Sequence, residues 1–325
     1  MQKLRNIPWL VAVVVVLALR LWQLSSIPAT LNPDEASIAY NAYLLGETGQ
    51  DEWGRRWPVV LEAFGDQKVV GYTLLVVPLI KVFGMVDWAV RLPAALASVA
   101  VVGVAALLVQ RWYKKPYLTL LTFIVLGTQP IFIWYGRMAF EAVVALLYCL
   151  VIIVVTTSVW KNKLLQIGIS AVLVILACFT YNTPLLLIPF LGLILPWWHG
   201  FKKWQIWLPL AMTLAITWGG CFLFSQNVTS QKSQVTIFGD ETLRTSYSEY
   251  RSQFTGIDQK IRGNQYIFFG REAARRFVSS VAPQFMVKNE YGHPWHVLPF
   301  TGYVSWVGYG LGWLGVTLLI GKVIQ

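Results

Sequence analysis

Two adjacent carboxylates follow the first long apolar segment of the chain, within the sequence Asn32-Pro33-Asp34-Glu35. A carboxylate held beside a substrate hydroxyl can accept its proton and act as a general base. The same residues also suit a helix start, because Asn is a preferred N-cap, Pro a preferred first residue, and acids complement the helix dipole. Taken alone, the helix start is the stronger interpretation. The location directly after an apolar segment favours a catalytic role for Asp34 as well.

Two cations lie where they could bind an anionic group of a substrate. Lys68 ends the acidic connection after the first apolar segment, and Arg137 precedes Glu141 by four residues. A lysine at the end of an apolar segment commonly only extends its ammonium to water. An ion pair between Arg137 and Glu141 and a phosphate contact by Arg137 are equally favoured, since both use the guanidinium fork.

Further polar residues are candidates for substrate binding. They are Asp66, Tyr72, Glu141, Tyr181, Asn182 and His293. The Tyr181-Asn182 step interrupts two apolar runs, and a simple turn explains it equally well. His293 and His296 have no acidic or cysteine partner at ligand spacing, so they do not indicate a metal. We make no firm prediction of a cofactor, and the sequence gives no support for a divalent metal.

The composition indicates which elements must position these residues. Of 325 residues, 56% are hydrophobic and only 13% are charged, and the mean hydropathy is +0.57. Crossing a bilayer takes about 20 apolar residues in a helix. Segments that reach or approach this length are 7–24, 89–110, 117–135, 138–158, 164–181, 184–198, 205–224 and 301–321. The sequence therefore predicts an all-α, polytopic integral membrane bundle of about eight spans.

The basic residues predict the orientation of that bundle. They cluster in alternate short connections, which places those connections and the N-terminus in the cytoplasm. Connections 25–68 and 225–300 then face the outside, and segment 69–84 becomes a juxtamembrane or re-entrant helix. Phe268, Phe277 and neighbouring apolar residues recur at helical spacing, which predicts an interfacial amphipathic helix. The net charge of +11 thus reflects membrane topology and does not indicate a nucleic-acid partner.

Short motifs in residues 1–200 carry a family resemblance through their order and spacing. They are Asn32–Glu35, Gly46–Gly49, Lys68–Tyr72, Phe83-Gly84, Arg91–Leu96 and Gly136–Glu141. In these motifs the chain resembles the membrane glycosyltransferases of the GT-C type. The branch that it resembles contains the protein O-mannosyltransferases and the lipid A aminoarabinose transferase, a group similar to glycosyltransferase family 39.

The resemblance implies an all-helical bundle with extracytoplasmic juxtamembrane helices and a polyprenyl-phosphate sugar as donor. It implies Asp34 as catalytic base, with Glu35 supporting the site or binding acceptor. Lys68 would contact the donor phosphate, with help from Arg137, and the sugar would be transferred with inversion. The residues after the acid pair differ from those of the aminoarabinose branch, so neither the sugar nor the acceptor, whether protein, lipid or glycan, carries over.

We therefore expect three regions in a protein of a bacterial-type plasma membrane. Residues 1–224 form the GT-C-like catalytic module, residues 225–300 an extracytoplasmic loop, and residues 301–325 a final span. Family members usually run longer, so we expect a minimal form or a truncated chain. A transporter or flippase is the main alternative, and a noncatalytic scaffold is another. Transporters tend to place ionisable groups at the membrane midplane, whereas here they lie near span ends, which favours the enzyme.

Overall fold

Helices make up 76% of the residues that the computed structural model describes. The structure describes residues 2–64, 66–226, 240–288 and 301–324. Two compact units divide the chain, the first comprising residues 1–224 and the second residues 225–325.

Ten α-helices, one 3₁₀ turn and a two-stranded hairpin form the described part of the first unit. In chain order they are α1 (Gln2–Leu21), α2 (Pro33–Thr48), β1 (Val60–Ala63), β2 (Asp66–Val69), α3 (Gly71–Phe83), α4 (Asp87–Tyr113), α5 (Pro116–Gly127), α6 (Pro130–Tyr135), α7 (Glu141–Thr157), α8 (Lys163–Thr180), α9 (Pro184–His199), the turn Phe201–Lys203 and α10 (Trp204–Gln226). Helix α4 packs against α1, α3, α5 and α7 and forms the centre of this unit.

Apolar side chains hold the bundle together in adjoining clusters. One cluster joins α2, α3, α4 and α7 and includes the fully buried Tyr72, Val76 and Ala94. Another joins α7, α8, α9 and α10 around Ile188 and Leu214. The ends of α2, α3 and α7 that carry Asp34, Tyr72 and Glu141 are thus fixed by a common core.

Within the part of the chain that the structure describes, three helical segments are long and apolar enough to cross a membrane, namely residues 87–113, 163–180 and, with the turn before α10 included, 201–224. Five shorter apolar helices accompany them. The predicted span 117–135 is not one helix, because α5 ends at Gly127 and Pro130 begins the separate α6. Proline lacks an amide hydrogen and disfavours helical geometry in the residue before it, which explains the break. Segment 69–84 contains α3, a helix of 13 residues.

The hairpin departs from the all-helical expectation. Its antiparallel strands pair Val60 with Val69 and Leu61 with Lys68. Leu61 and Val70 pack with Leu45 of α2 in a small buried cluster. The hairpin is therefore anchored on α2, and it carries Lys68 on its second strand.

The described part of the second unit is helical. Its elements are α11 (Glu241–Ser252), α12 (Gly256–Ile261), α13 (Gln265–Val281), α14 (Pro283–Met286) and α15 (Trp306–Ile324). Phe268 of α13 is buried against Tyr247 and Tyr250 of α11. On α13, Phe277 and Val278 are exposed. The helix predicted around residues 268–281 is therefore observed, with both a packed and an exposed apolar face.

Candidate functional site

Asp34 and Lys68 form an ion pair at the start of α2. The Lys68 Nζ lies 2.6 Å from Asp34 Oδ1. The Asp34 side chain is 40% exposed, whereas that of Lys68 is 17% exposed, so the carboxylate is the more accessible partner. Residues predicted as base and phosphate-binding cation are therefore adjacent, although 34 positions separate them in the sequence.

The start of α2 has the capping box that its sequence indicates. Glu35 N donates to Asn32 Oδ1 at 2.8 Å, and Asn32 N donates to Glu35 Oε2 at 3.1 Å. The Asn32 Nδ2 amide is buried and has no acceptor among the described residues. A hydrogen-bond donor thus remains unused two residues before Asp34.

Glu35 is directed away from Asp34 into the protein interior. Its Oε1 accepts hydrogen bonds from Arg91 Nε at 2.9 Å and from the Ala139 backbone amide at 2.8 Å. Its Oε2 accepts one from Arg91 Nη2 at 3.1 Å. The side chains of Glu35 and Arg91 are fully buried. Of the two roles expected for Glu35, this arrangement favours support of the site over acceptor binding, because its oxygens already have partners.

Two arginines fix the connection between α1 and α2. Arg91 donates to the carbonyl oxygens of Leu24, Pro28 and Thr30 at 2.9–3.0 Å. Arg137, 5% exposed, donates from its three nitrogens to the carbonyls of Leu19, Trp22, Gln23 and Ile27 at 2.7–3.3 Å. Burial lowers the pKa of the Arg137 guanidinium, and nearby Arg91 lowers it further. A phosphate would have to displace backbone carbonyls to reach Arg137.

Tyr72 and the end of α8 lie beside the hairpin. Tyr72 is fully buried, and its hydroxyl donates to the Val90 carbonyl at 2.9 Å. A Cβ on the preceding Gly71 would lie 2.4 Å from the Phe179 carbonyl oxygen, so α3 begins in direct contact with the end of α8. Tyr181 caps that end of α8 and is 37% exposed. The structure therefore brings the Tyr181-Asn182 step to the end of α3 that follows Lys68.

The remaining residues predicted to bind substrate are Asp66, Glu141 and His293. Asp66 begins β2 opposite Ala63. Glu141 begins α7. His293 lies outside the described residues. Among the described residues, no group of three His, Cys, Asp or Glu side chains could hold a metal ion.

Sequence reasoning missed the anchoring of the acidic connection after α2. The buried Asn41 donates from Nδ2 to Glu52 Oε1 at 2.9 Å and accepts from Glu52 N at 3.1 Å. Asp51 accepts from Arg55 Nε at 2.7 Å. These contacts hold the acids of this connection in local structure. Sequence reasoning named Arg91 within a motif but assigned it no partner, although a charged residue within an apolar helix signals such a role.

Comparison of the chain with protein-family models, with curated proteins and with solved structures gave no match. The resemblance to GT-C glycosyltransferases stays a prediction from short motifs. The geometry around Asp34 is thus the main physical basis for a functional proposal.

Proposed function

We propose that this chain is a membrane glycosyltransferase that moves a sugar from a polyprenyl-phosphate donor to an extracytoplasmic hydroxyl. The 2.6 Å pair between Asp34 and Lys68 carries the proposal. It combines a proton acceptor and a cation at a partly exposed helix start. The rigid support of Asp34 by the capping box and by Arg91 is what a positioned general base requires.

The residues support a single displacement. Asp34 accepts the proton of the acceptor hydroxyl as its oxygen forms a bond to the anomeric carbon. The bond between that carbon and the phosphate oxygen breaks, and polyprenyl phosphate leaves with the electron pair. Attack opposite the leaving group inverts the anomeric configuration. Lys68 neutralises the charge that develops on the phosphate, and a contact of this kind strengthens in a site with little water.

Because Asp34 and Lys68 are paired when no substrate is bound, binding of the donor to Lys68 also affects Asp34. A donor phosphate that binds the Lys68 ammonium competes with Asp34 for the same cation. Once Lys68 contacts the phosphate, the Asp34 carboxylate is released to accept a proton. We therefore propose that the donor binds before the acceptor.

A bundle of about eight membrane spans, a cytoplasmic N-terminus and an extracytoplasmic active site belong to this proposal. Its support is the alternation of basic connections in the sequence and the three helices that are long enough to cross. Arg137 enters as a residue that fixes the connection before α2, because its nitrogens already bind carbonyls. The acceptor is a hydroxyl of a protein, lipid or glycan.

The test is release of polyprenyl phosphate by the purified full chain in proteoliposomes given a panel of polyprenyl-phosphate sugars. We expect release with at least one donor, and its loss in Asp34→Asn. Asp87→Asn is a matched control, because Asp87 also lies in the first turn of an apolar helix. Equal release by wild type and Asp34→Asn would contradict the proposal. Movement of intact donor between leaflets, without cleavage, would favour the flippase.

A further inference from the structure

A cavity of about 350 Å³ lies between α9 and α10. Its lining consists almost entirely of apolar groups and includes Gly192, Leu193, Trp207, Ala215 and Trp218. Ile188 and Leu214 in the lining are buried, whereas Leu193 is 70% exposed. The cavity therefore extends from the core of the bundle to its outer surface.

The length of the cavity matches half a bilayer. Trp207 and Trp218 are 11 residues apart on α10, which corresponds to about 16 Å of helix. The hydrocarbon of one leaflet is about 15 Å thick. The indole nitrogen of Trp218 donates to the Leu185 carbonyl at 2.7 Å and thereby ties that end of α10 to α9. These dimensions suit one hydrocarbon chain that enters from the Trp207 end.

The Trp207 end of the cavity has an unused hydrogen-bond donor. Trp207 Nε1 is buried and has no acceptor among the described residues. A buried N–H without an acceptor is costly, and Trp207 lines the cavity, so an oxygen bound at this end would lower that cost. The ester carbonyl of an acyl lipid supplies such an oxygen at the point where its chain begins.

The same end of α10 is basic. Lys202 and Lys203 lie in the turn that leads into α10, and both are exposed. Lys203 precedes Trp207 by four residues, about one helical turn. Basic residues next to a transmembrane helix attract anionic lipid head groups. Cation, ester-binding donor and apolar cavity thus follow one another in the order of phosphate, ester and acyl chain in a phospholipid.

We propose that the groove between α9 and α10 binds one anionic phospholipid. Its acyl chain lies between Gly192 and Ala215, its ester oxygen accepts from Trp207 Nε1, and its phosphate lies near Lys202 and Lys203. This site is separate from the Asp34–Lys68 pair and does not depend on the proposed glycosyltransferase activity. The occupant is a resident lipid of the bilayer.

Native mass spectrometry of the purified full chain tests the site, with phosphatidylglycerol and phosphatidylcholine of identical acyl chains as probes. We expect one retained phosphatidylglycerol, bound at least tenfold more tightly than phosphatidylcholine. Trp207→Phe keeps the ring but loses the donor, and should weaken binding about threefold to tenfold. Lys202→Gln with Lys203→Gln should remove most of the preference for phosphatidylglycerol.

Gly192→Leu tests the cavity itself. No atom lies within 4 Å of a Cβ built on Gly192, so the new side chain enters the cavity without a backbone clash. Gly168→Leu is the matched control, since Gly168 of α8 is equally open and does not line the cavity. We expect Gly192→Leu to abolish the adduct and Gly168→Leu to retain it. Ala215→Phe, which fills the same cavity from α10, is expected to behave like Gly192→Leu and covers a Gly192 variant that fails to fold.

Three results would overturn the proposal. They are an unchanged adduct in both cavity-filling variants, equal retention of the two phospholipids, and displacement of phosphatidylglycerol by polyprenyl phosphate. The last result would assign the groove to the donor chain.

Discussion

Arg91 and Glu35 form a bidentate ion pair from which solvent is excluded, with N–O distances of 2.9 and 3.1 Å. The pair joins the N-terminal part of α4 to the first turn of α2. Because Glu35 is next to Asp34 in the chain, this pair also fixes the position of Asp34 on α2.

Removal of one partner of this pair should destabilise the protein strongly. We expect Glu35→Gln or Arg91→Met to cost about 3–5 kcal/mol, because each leaves a buried group without its charge partner. The loss of stability is measured from the midpoint of thermal unfolding in detergent. The double variant should lose less than the sum of the single losses. Asp258→Asn, which breaks the exposed pair with Arg262, is the control and should cost under about 1 kcal/mol. Strictly additive losses at Glu35 and Arg91 would contradict the coupling.

Asp34 and Lys68 should differ in their kinetic effects. Asp34→Asn removes the base and should lower kcat by about 10²-fold or more, with a smaller change in KM for the donor. Lys68→Gln should raise the donor KM as well as lower kcat, since its ammonium is proposed to bind the phosphate in ground and transition states. Initial rates with varied donor separate these effects. A lower kcat with unchanged donor KM in Lys68→Gln would remove its binding role.

The contact at Gly71 predicts a position that tolerates no side chain. Gly71→Ala would place Cβ 2.4 Å from the Phe179 carbonyl oxygen, so α3 or α8 must shift. We expect a loss of about 1–3 kcal/mol, the usual range for overpacking. Gly103→Ala is the control, since no atom lies within 4 Å of its added Cβ within α4. That change should be neutral or stabilising, because Ala favours helices over Gly. Comparable stability of the two variants would contradict this packing.

The second unit should lose stability in acid. Hydrogen bonds from Arg275 and then Arg276 lower the pKa of Glu272 from 4.5 to about 2. Because the folded pKa lies below the unfolded one, this stabilisation is present above pH 4.5 and is lost as pH falls toward 2. Asp240, whose pKa is also lowered, acts in the same direction. Hydrogen-exchange protection factors of α13 amides, measured at about pH 5.5 and about pH 2.5, should therefore fall in acid.

Glu272→Gln should reduce this loss of protection, whereas Glu249→Gln, on the exposed surface of α11, should not. Equal protection of wild-type α13 at both pH values would exclude a contribution from the arginine cluster.

The membrane orientation can be tested with single cysteines. Glu47 and Lys161 are both exposed, and the three native cysteines are buried. We expect Glu47→Cys to react with a membrane-impermeant maleimide in intact cells, and Lys161→Cys to react only after permeabilisation. Labelling is measured as a mass shift of the purified protein. The reverse pattern would place Asp34 on the cytoplasmic side and remove its access to an outer acceptor.

Local features of the fold were readable from the sequence. Asn32 and Pro33 predict the start of α2, and Gly49 ends it with a positive φ of 70°. Capping depends on residues a few positions apart, so one sequence is enough. The break before Pro130 also depends on neighbouring residues, but the apolar run around it led to the prediction of one span over 117–135.

Features that depend on distant residues were not readable. Arg91 lies 56 positions from Glu35, and Arg137 lies 110 positions from Ile27. Both arginines were expected to act in motifs or at a ligand, whereas the fold uses them to bind buried oxygens. The strands of the hairpin have only four residues each, too few for alternation to distinguish them from a loop. The pairing of Asp34 with Lys68 depends on that hairpin.

The two residues of the candidate ion pair belong to different elements of the fold. Asp34 lies on α2, which the pair between Glu35 and Arg91 holds in the bundle. Lys68 lies on the β1–β2 hairpin, whose tip at Phe64 is 78% exposed. A one-residue change in the register between β1 and β2 would move the cation and leave the proton acceptor in place. Changes in the hairpin alone could thus alter which substrates related chains accept, while the reaction chemistry stays the same.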